Sequence, residues 1–236
     1  MSDALALLVF ARPIADDAAR KRLTSPARQN QRVFACLNQQ VTKTATATGL
    51  PVLHSADLIQ HRGSFGEQIS GALQAVFDLG YGRVLVVGND CPGLSPAVLL
   101  GAADALRDAP VVLGPDRRGG LYLLGLARDA FDQNQLAQLP WQTPALCRAT
   151  RRAFADCTVT ELPRLGDVNH LADLQAYHPA DAGVGVFVGA LLALLVQPVK
   201  PGFFPVRQWL MAVSGPGTNA LRGPPVSRLY DLSAVV

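Results

Sequence analysis

The sequence predicts an α/β protein: a doubly wound, mostly parallel sheet with one reversed strand and helices on both faces. Three observations predict it. Short apolar runs at residues 5–10, 84–87 and 110–113 lack the alternation of a half-wet strand and read as strands buried on both faces. Stretches with helical spacing lie between such runs, so strands alternate with helices along the chain. Finally, residues 121–126 (LYLLGL) follow the run at 110–113 after only GPDRRGG. That connection is too short for a crossover helix, so this strand should run antiparallel to its neighbour.

In chain order, LALLVF (5–10) is the first strand, and a loop, ARPIADD, leads from it to Arg20, Lys21 and Arg22. Three consecutive cations after a first buried strand suit a loop that meets phosphates; a solvated helix start is the alternative. Residues 29–40 look helical, with Val33, Leu37 and Val41 four apart, and 51–53 form a short strand. The polar loop QHRGSFG precedes a helix whose stripe is Phe65, Ile69, Leu73, Val76 and Phe77, stopped by Gly80. Glu67, early in that helix, complements its dipole. A strand at 83–87 comes next, and Ser95-Pro96 then starts a helix, the hydroxyl as N-cap and the ring pre-setting φ. LPWQTP (139–144) is a stiff loop, with Thr143-Pro144 capping a helix over 145–155, and 159–162 is a further strand. LGDVN then places Asp167 and Asn169 at a strand end, before a short helix bearing Leu171, Leu174 and Tyr177.

The 236 residues suffice for one large domain or a domain with an appendage. Beyond Pro179 the chain turns apolar and rich in Gly and Pro, which divides it into a catalytic-type domain, 1–178, and an appendage of unassigned, irregular fold, 179–236. The segment 183–196 has no polar face, yet falls short of the roughly 20 residues a membrane span needs. Packing against protein is therefore expected over contact with a membrane surface. A hydrophobic content of 49% with 17% charge describes a filled core. The net charge of +3, with scattered basic pairs and no interleaved aromatics, argues against nucleic acid as a partner. Cys36, Cys91, Cys147 and Cys157 form no C-x-x-C and have no His at ligand spacing, which suits a reducing cytosol and argues against zinc or a disulfide framework. With no basic leader and only a short first apolar run, a cytoplasmic protein is expected.

The chemistry centres on RVLVVGNDCPGLSP (83–96). Asp90 stands where a buried strand leaves its sheet, between Gly88, Pro92 and a helix start. Ligands of open α/β sheets bind outside such carboxyl ends, so the position suits a metal–phosphate pair; a turn-capping role is the competing reading. Cys91 reads as a small buried filler.

These motifs resemble, over about residues 5–177, the GT-A-like family known as rSAM/selenodomain-associated transferase 1, of the nucleotide-diphospho-sugar transferase superfamily. VVGNDCPGLSP resembles its G-S-D-C-P-x-L, with Asp90 at the metal-binding aspartate, and GPDRRGGLYLLGL its G-P-x-x-D-G-G-Y-Y-L-I-G-L. LPWQTPAL is similar to I-P-W-S-T-x-x-V, RGSFGEQI to G-x-L-G-E-R-M, and LGDVNHLADL to D-V-D-T-P-E-D-L. Three positions depart: Asp17 replaces the glycine before K-x-R-L, Arg118 the acid of D-G-G, and Asn169 the second acid of D-V-D.

The resemblance implies a GT-A/Rossmann-like sheet and a metal-dependent transferase using a nucleotide-activated donor, foremost a glycosyltransferase acting on a nucleoside-diphosphate-sugar and a small-molecule acceptor. A nucleotidyltransferase joining an NTP to a small acceptor, or a non-catalytic nucleotide-binding module, are the alternatives. It implies Mg²⁺ or Mn²⁺ on the catalytic Asp90 with Asn169, and Asp167 as second choice. Arg12, Arg20, Lys21, Arg22 and Asn89 would hold the nucleotide. Gly119, Gly120 and Trp141 would border the donor or acceptor, although a tight hairpin and an aromatic packed beneath a loop account for the same residues.

Overall fold

A computed structural model describes residues 3–60, 62–177 and 184–196. The chain runs β1 (Leu5–Val9), α1 (Ile14–Arg20), α2 (Ala27–Thr46), β2 (Val52–His54), α3 (Ser55–Leu58), α4 (Phe65–Asp78) and β3 (Arg83–Val87). It continues through α5 (Pro96–Asp108), β4 (Val111–Pro115), β5 (Leu121–Ala127), a 3₁₀ turn (Arg128–Ala130), α6 (Gln133–Ala137), α7 (Leu146–Ala153), β6 (Val159–Glu161), α8 (Leu171–Gln175) and α9 (Gly185–Val196).

The strands form one sheet in the order β2-β1-β3-β5-β4-β6. All neighbours are parallel except β5, which runs antiparallel to both β3 and β4. The sheet is thus the mostly parallel α/β type with one reversed strand. From β1 the chain moves to one side for β2 and returns to the other for β3. Such a reversal opens a crevice outside the carboxyl ends of the two strands.

Alternate residues divide the core into two layers. Ala6, Leu8, Val84 and Val86 face Ile69, Leu73, Val76 and Phe77 of α4 and Leu136 of α6. Leu7, Val9, Leu85 and Val87 face Val41 and Ala45 of α2 and Leu99 and Leu106 of α5. Each large side chain so buried contributes about 1.5–3 kcal/mol, so the apolar runs outweigh any local preference. α4 opens with a capping box: Ser64 Oγ accepts from the Glu67 N–H and Glu67 Oε2 from the Ser64 N–H at 2.7 Å. Glu67 is therefore a structural carboxylate. Ser95 Oγ accepts from the Val98 N–H at 3.3 Å, with Pro96 opening α5.

Several local expectations are corrected. ARPIADD is not a loop, since residues 14–20 are helical. Pro13 turns the chain and Asp16 and Asp17 fall in the first turn, where acids complement the dipole. The cations therefore leave the end of a helix. Thr143 does not cap α7 directly; its hydroxyl accepts from the Ala145 N–H one residue before the helix starts. The 3₁₀ turn, α3 and α6 are elements too short to show a period in the sequence.

A third apolar cluster lies on the outer side of α2. Val188 and Leu191 of α9 are buried with Val33, Phe34 and Leu37 of α2, Leu174 of α8 and Val168. Gln29 Nε2 donates to the Leu194 carbonyl at 2.6 Å. One face of the apolar segment thus packs against α2 and α8, while Val186 and Val196 on it stay exposed. The rest of the expected appendage, 179–183 and 197–236, lies outside the described residues. No described helix is long and apolar enough to cross a membrane.

Candidate functional site

Three chain segments meet at the crevice. The first leaves β1. Phe10 donates its N–H to the Val87 carbonyl at 2.9 Å, tying the ends of β1 and β3 together. α1 then carries the chain across the crevice to Lys21, whose backbone leaves the helix in an extended conformation. The turn is clamped from beneath by Asn30, which is 1% exposed. Asn30 Nδ2 donates to the carbonyls of Ala18 at 2.5 Å and Lys21 at 2.9 Å, and its Oδ1 accepts from the Leu23 N–H at 3.0 Å. One buried amide thereby satisfies three backbone groups that the end of α1 would otherwise leave unpaired.

The second segment follows β3. Asp90 accepts an ion pair from Lys21, Nζ to Oδ2, with the side chains 25% exposed on Lys21 and 22% on Asp90. Asn89 is nearly buried, and its amide nitrogen donates to Asp17 Oδ2 at 2.9 Å and to Asn38 Oδ1. The third segment follows β6. Leu165 accepts from Arg117 N–H at 3.1 Å, and the Val168 N–H donates to the Asp90 carbonyl at 2.7 Å. Those bonds hold Asp167 and Asn169 next to Asp90, with Asn169 Nδ2 donating to Asp167 Oδ2.

Charge is unbalanced here. Burial pushes the Asp167 carboxyl above its ordinary range, and the charges of Asp90 and Asp116 push it further; Asn169 and Lys21 oppose them. Burial likewise pushes Asp17 up, with Asp90 adding to it against the Asn89 hydrogen bond, Lys21 and Arg12. Carboxylates therefore crowd around one ammonium. Among the described residues no three His, Cys, Asp or Glu side chains form a metal cage. Mg²⁺ and Mn²⁺ do not need one when phosphate oxygens complete the shell, because one or two carboxylates suffice. Asp90, Asp167 and Asn169 are hard oxygen donors of that kind, and the surplus negative charge fits a divalent cation.

The other expected residues are placed as follows. The Arg12 guanidinium lies 4.7 Å over the Phe65 ring, and burial and the neighbouring Arg20 lower its pKa. Arg20 and Arg22 are exposed. Trp141 stacks on Phe65 at 5.5 Å between centroids and donates Nε1–H to the Leu136 carbonyl at 2.7 Å. Its half-buried ring is thereby packed against the core on the Arg12 side. Gly119 has φ +93°, and a Cβ there would stand 2.2 Å from the Pro144 carbonyl oxygen; one on Gly120 would meet Asp116 Oδ2 at 2.2 Å. The hairpin itself therefore requires both glycines. Arg118 pairs with Asp173, which also accepts from the Asn169 and His170 N–H groups at 2.8 and 2.7 Å. Cys91 is buried, and its thiol is pushed up by burial and then by Asp90, as suits a filler.

Two residues escape a reading of the sequence. Asp116 is 7% exposed and accepts from the Arg118 N–H at 2.6 Å and the Gly120 N–H at 2.8 Å. It supplies an acid two positions before the place where Arg118 stands, so GPD rather than the residue before Gly-Gly was the signal. Asn30 carries no signal, because its three partners are set by the turn packed over it.

A crystal structure from Desulfovibrio desulfuricans G20, provisionally described as a nucleotide-diphospho-sugar transferase, shares the fold. It matches with a TM-score of 0.62 and 19% identity, covering 83% of this chain and 97% of that one. A homologue, from Mycobacterium sp. strain JC1, of Rv0371c from M. tuberculosis gives 0.47 and 12%, over 82% of this chain and 100% of that one. Rv0371c from M. tuberculosis H37Rv, in complex with manganese, gives 0.45 and 14%, over 74% and 97%. No curated protein matches the sequence. The model of a family described as an uncharacterized protein conserved in bacteria matches residues 5–143, more than half of the chain, and the chain belongs to that family, DUF2064.

Proposed function

We propose that this protein is a metal-dependent transferase using a nucleotide-activated donor, and that the donor is a nucleoside-diphosphate-sugar. The observation that carries the reading is the meeting of Lys21, Asp90, Asp167 and Asn169 outside the carboxyl ends of β1 and β3. A divalent cation there would neutralise the leaving diphosphate as a Lewis acid. Asp90, with Asn169 and then Asp167, would hold that ion through oxygen. Arg12, Arg20 and Arg22 suit phosphate oxygens, since guanidinium binds them bidentately. Asn89, whose amide nitrogen donates to Asp17 Oδ2, would hold the nucleotide from beside that carboxyl. The Asp116–Gly120 hairpin would border the sugar and exclude water from it. The resemblance to the rSAM/selenodomain-associated transferase 1 motifs points to the same chemistry, as does the description of the D. desulfuricans protein.

The test is a thermal-shift screen of UDP- and GDP-sugars with Mn²⁺ or Mg²⁺, followed by product analysis. Stabilisation that needs the metal, release of UDP or GDP, and loss of both in Asp90→Asn are the expected outcomes. Release of pyrophosphate from an NTP would replace this reading with nucleotidyl transfer. No nucleotide binding, with or without metal, would leave a non-catalytic module.

A further inference from the structure

We propose that Lys21 is the resident counter-ion of Asp90, and that Asp90 becomes available to a divalent cation only when a diphosphate takes over the lysine. The inference rests on the transferase reading above. Lys21 Nζ sits directly on Asp90 Oδ2, so one of the two carboxylate oxygens is already paired and an ammonium stands where a metal on Asp90 would have to approach. An ammonium and a divalent cation repel one another strongly at contact distance. One must leave before the other can bind.

The structure also shows which part can move. Asn30 pins the backbone on both sides of the lysine, at Ala18, Lys21 and Leu23, so the turn is held. The side chain, on its flexible stem, is free to change partners. A phosphate arriving above α1 meets Arg20 and Arg22, both exposed, and offers the ammonium the anionic oxygens that Asp90 had supplied. Metal and diphosphate should then bind together, and bare metal poorly. Lys21 would act as a specificity device, keeping the carboxylate paired until the correct ligand is present.

The test uses the full chain and titrates Mn²⁺ by the electron paramagnetic resonance of the free ion, alone and with inorganic pyrophosphate, each against a protein-free titration that subtracts the Mn²⁺ complexed by pyrophosphate itself. Wild-type protein should bind Mn²⁺ at least about tenfold tighter with pyrophosphate present. Lys21→Met should bind Mn²⁺ alone roughly two- to fivefold tighter than wild type, the range for losing a partly exposed ion pair, and should gain little from pyrophosphate. Lys21→Gln should behave alike, and circular dichroism checks both folds. In an Asp90→Asn background, Lys21→Met should bring no gain. Unchanged Mn²⁺ affinity in both lysine variants, or a gain that persists without Asp90, overturns the exchange. If wild type binds Mn²⁺ with pyrophosphate and the lysine variants have the wild-type affinity both with and without it, only the exchange fails. If no form binds Mn²⁺ under either condition, the transferase reading falls with it.

Discussion

Asp17 is pulled in two directions. Its place in the first turn of α1 favours a charged carboxylate. Burial opposes the charge and wins, leaving the carboxyl above its ordinary 3.8, with Asp90 adding to the rise. The sign follows from linkage: the folded state holds its proton to a higher pH than the unfolded chain does. Asp17 therefore contributes stability below the ordinary range and loses it as pH rises through the folded value. Asp17→Asn, which keeps an oxygen for Asn89, should melt higher than wild type at pH 7, the difference shrinking towards pH 4. A lower melting temperature at pH 7 would show that the charge is wanted. Asn169 gives the complementary case. Asn169→Asp removes the donor to Asp167 and adds a like charge, so the metal-free protein should melt lower at pH 7. Mn²⁺ affinity with pyrophosphate should rise, since a charged oxygen joins the shell. A weaker affinity would mean that residue 169 faces away from the ion.

Among the elements, legibility followed burial. β1, β3, β4 and β5 could be read because both faces of each are covered, which leaves unbroken apolar runs such as LLVF and VLVV, whereas the short edge strands β2 and β6 are only partly buried. α4 and α5 could be read because stripe and cap agree. α1 was missed although Pro13 and two acids announce it, because seven residues show less than two turns of period. Asp90 and Lys21 stood out as types in loops, but their pairing depends on β1 and β3 being neighbours, which only the topology decides. Gly66 is the same kind of case. The sequence reads it as the end of the loop QHRGSFG, yet it lies in the first turn of α4, and a Cβ there would stand 2.1 Å from the Ala137 carbonyl oxygen and 2.9 Å from Trp141 Cδ1. Gly66→Ala gains about 1 kcal/mol of helix propensity, but overpacking against fixed backbone costs up to about 3 kcal/mol. A net loss of about 2 kcal/mol is expected from those two terms, read as a lower denaturant midpoint. No loss would mean that the end of α6 and Trp141 can move apart from α4.

At the scale of the whole molecule, composition and packing divide the chain differently. Composition changes near residue 179, where the sequence alone puts the edge of the catalytic-type domain. Yet α9, beyond that point, covers Val33, Phe34 and Leu37 on the outer side of α2, the helix that also carries the Asn30 clamp. Uncovering this patch would leave α2 apolar on two sides with only one buried. A chain ending at residue 178 should therefore melt lower than one ending at 196 and should self-associate through the bared helix. Leu191, 1% exposed, allows a milder version. Leu191→Ala should cost about 2–4 kcal/mol and fall between the two truncated chains. Because α2 positions Lys21 through Asn30, the short chain should also bind Mn²⁺ with pyrophosphate more weakly, while the 196-residue chain keeps its affinity. Equal melting and equal Mn²⁺ affinity in the two would place the domain edge at 179 after all, with α9 a marginal addition to a core complete without it.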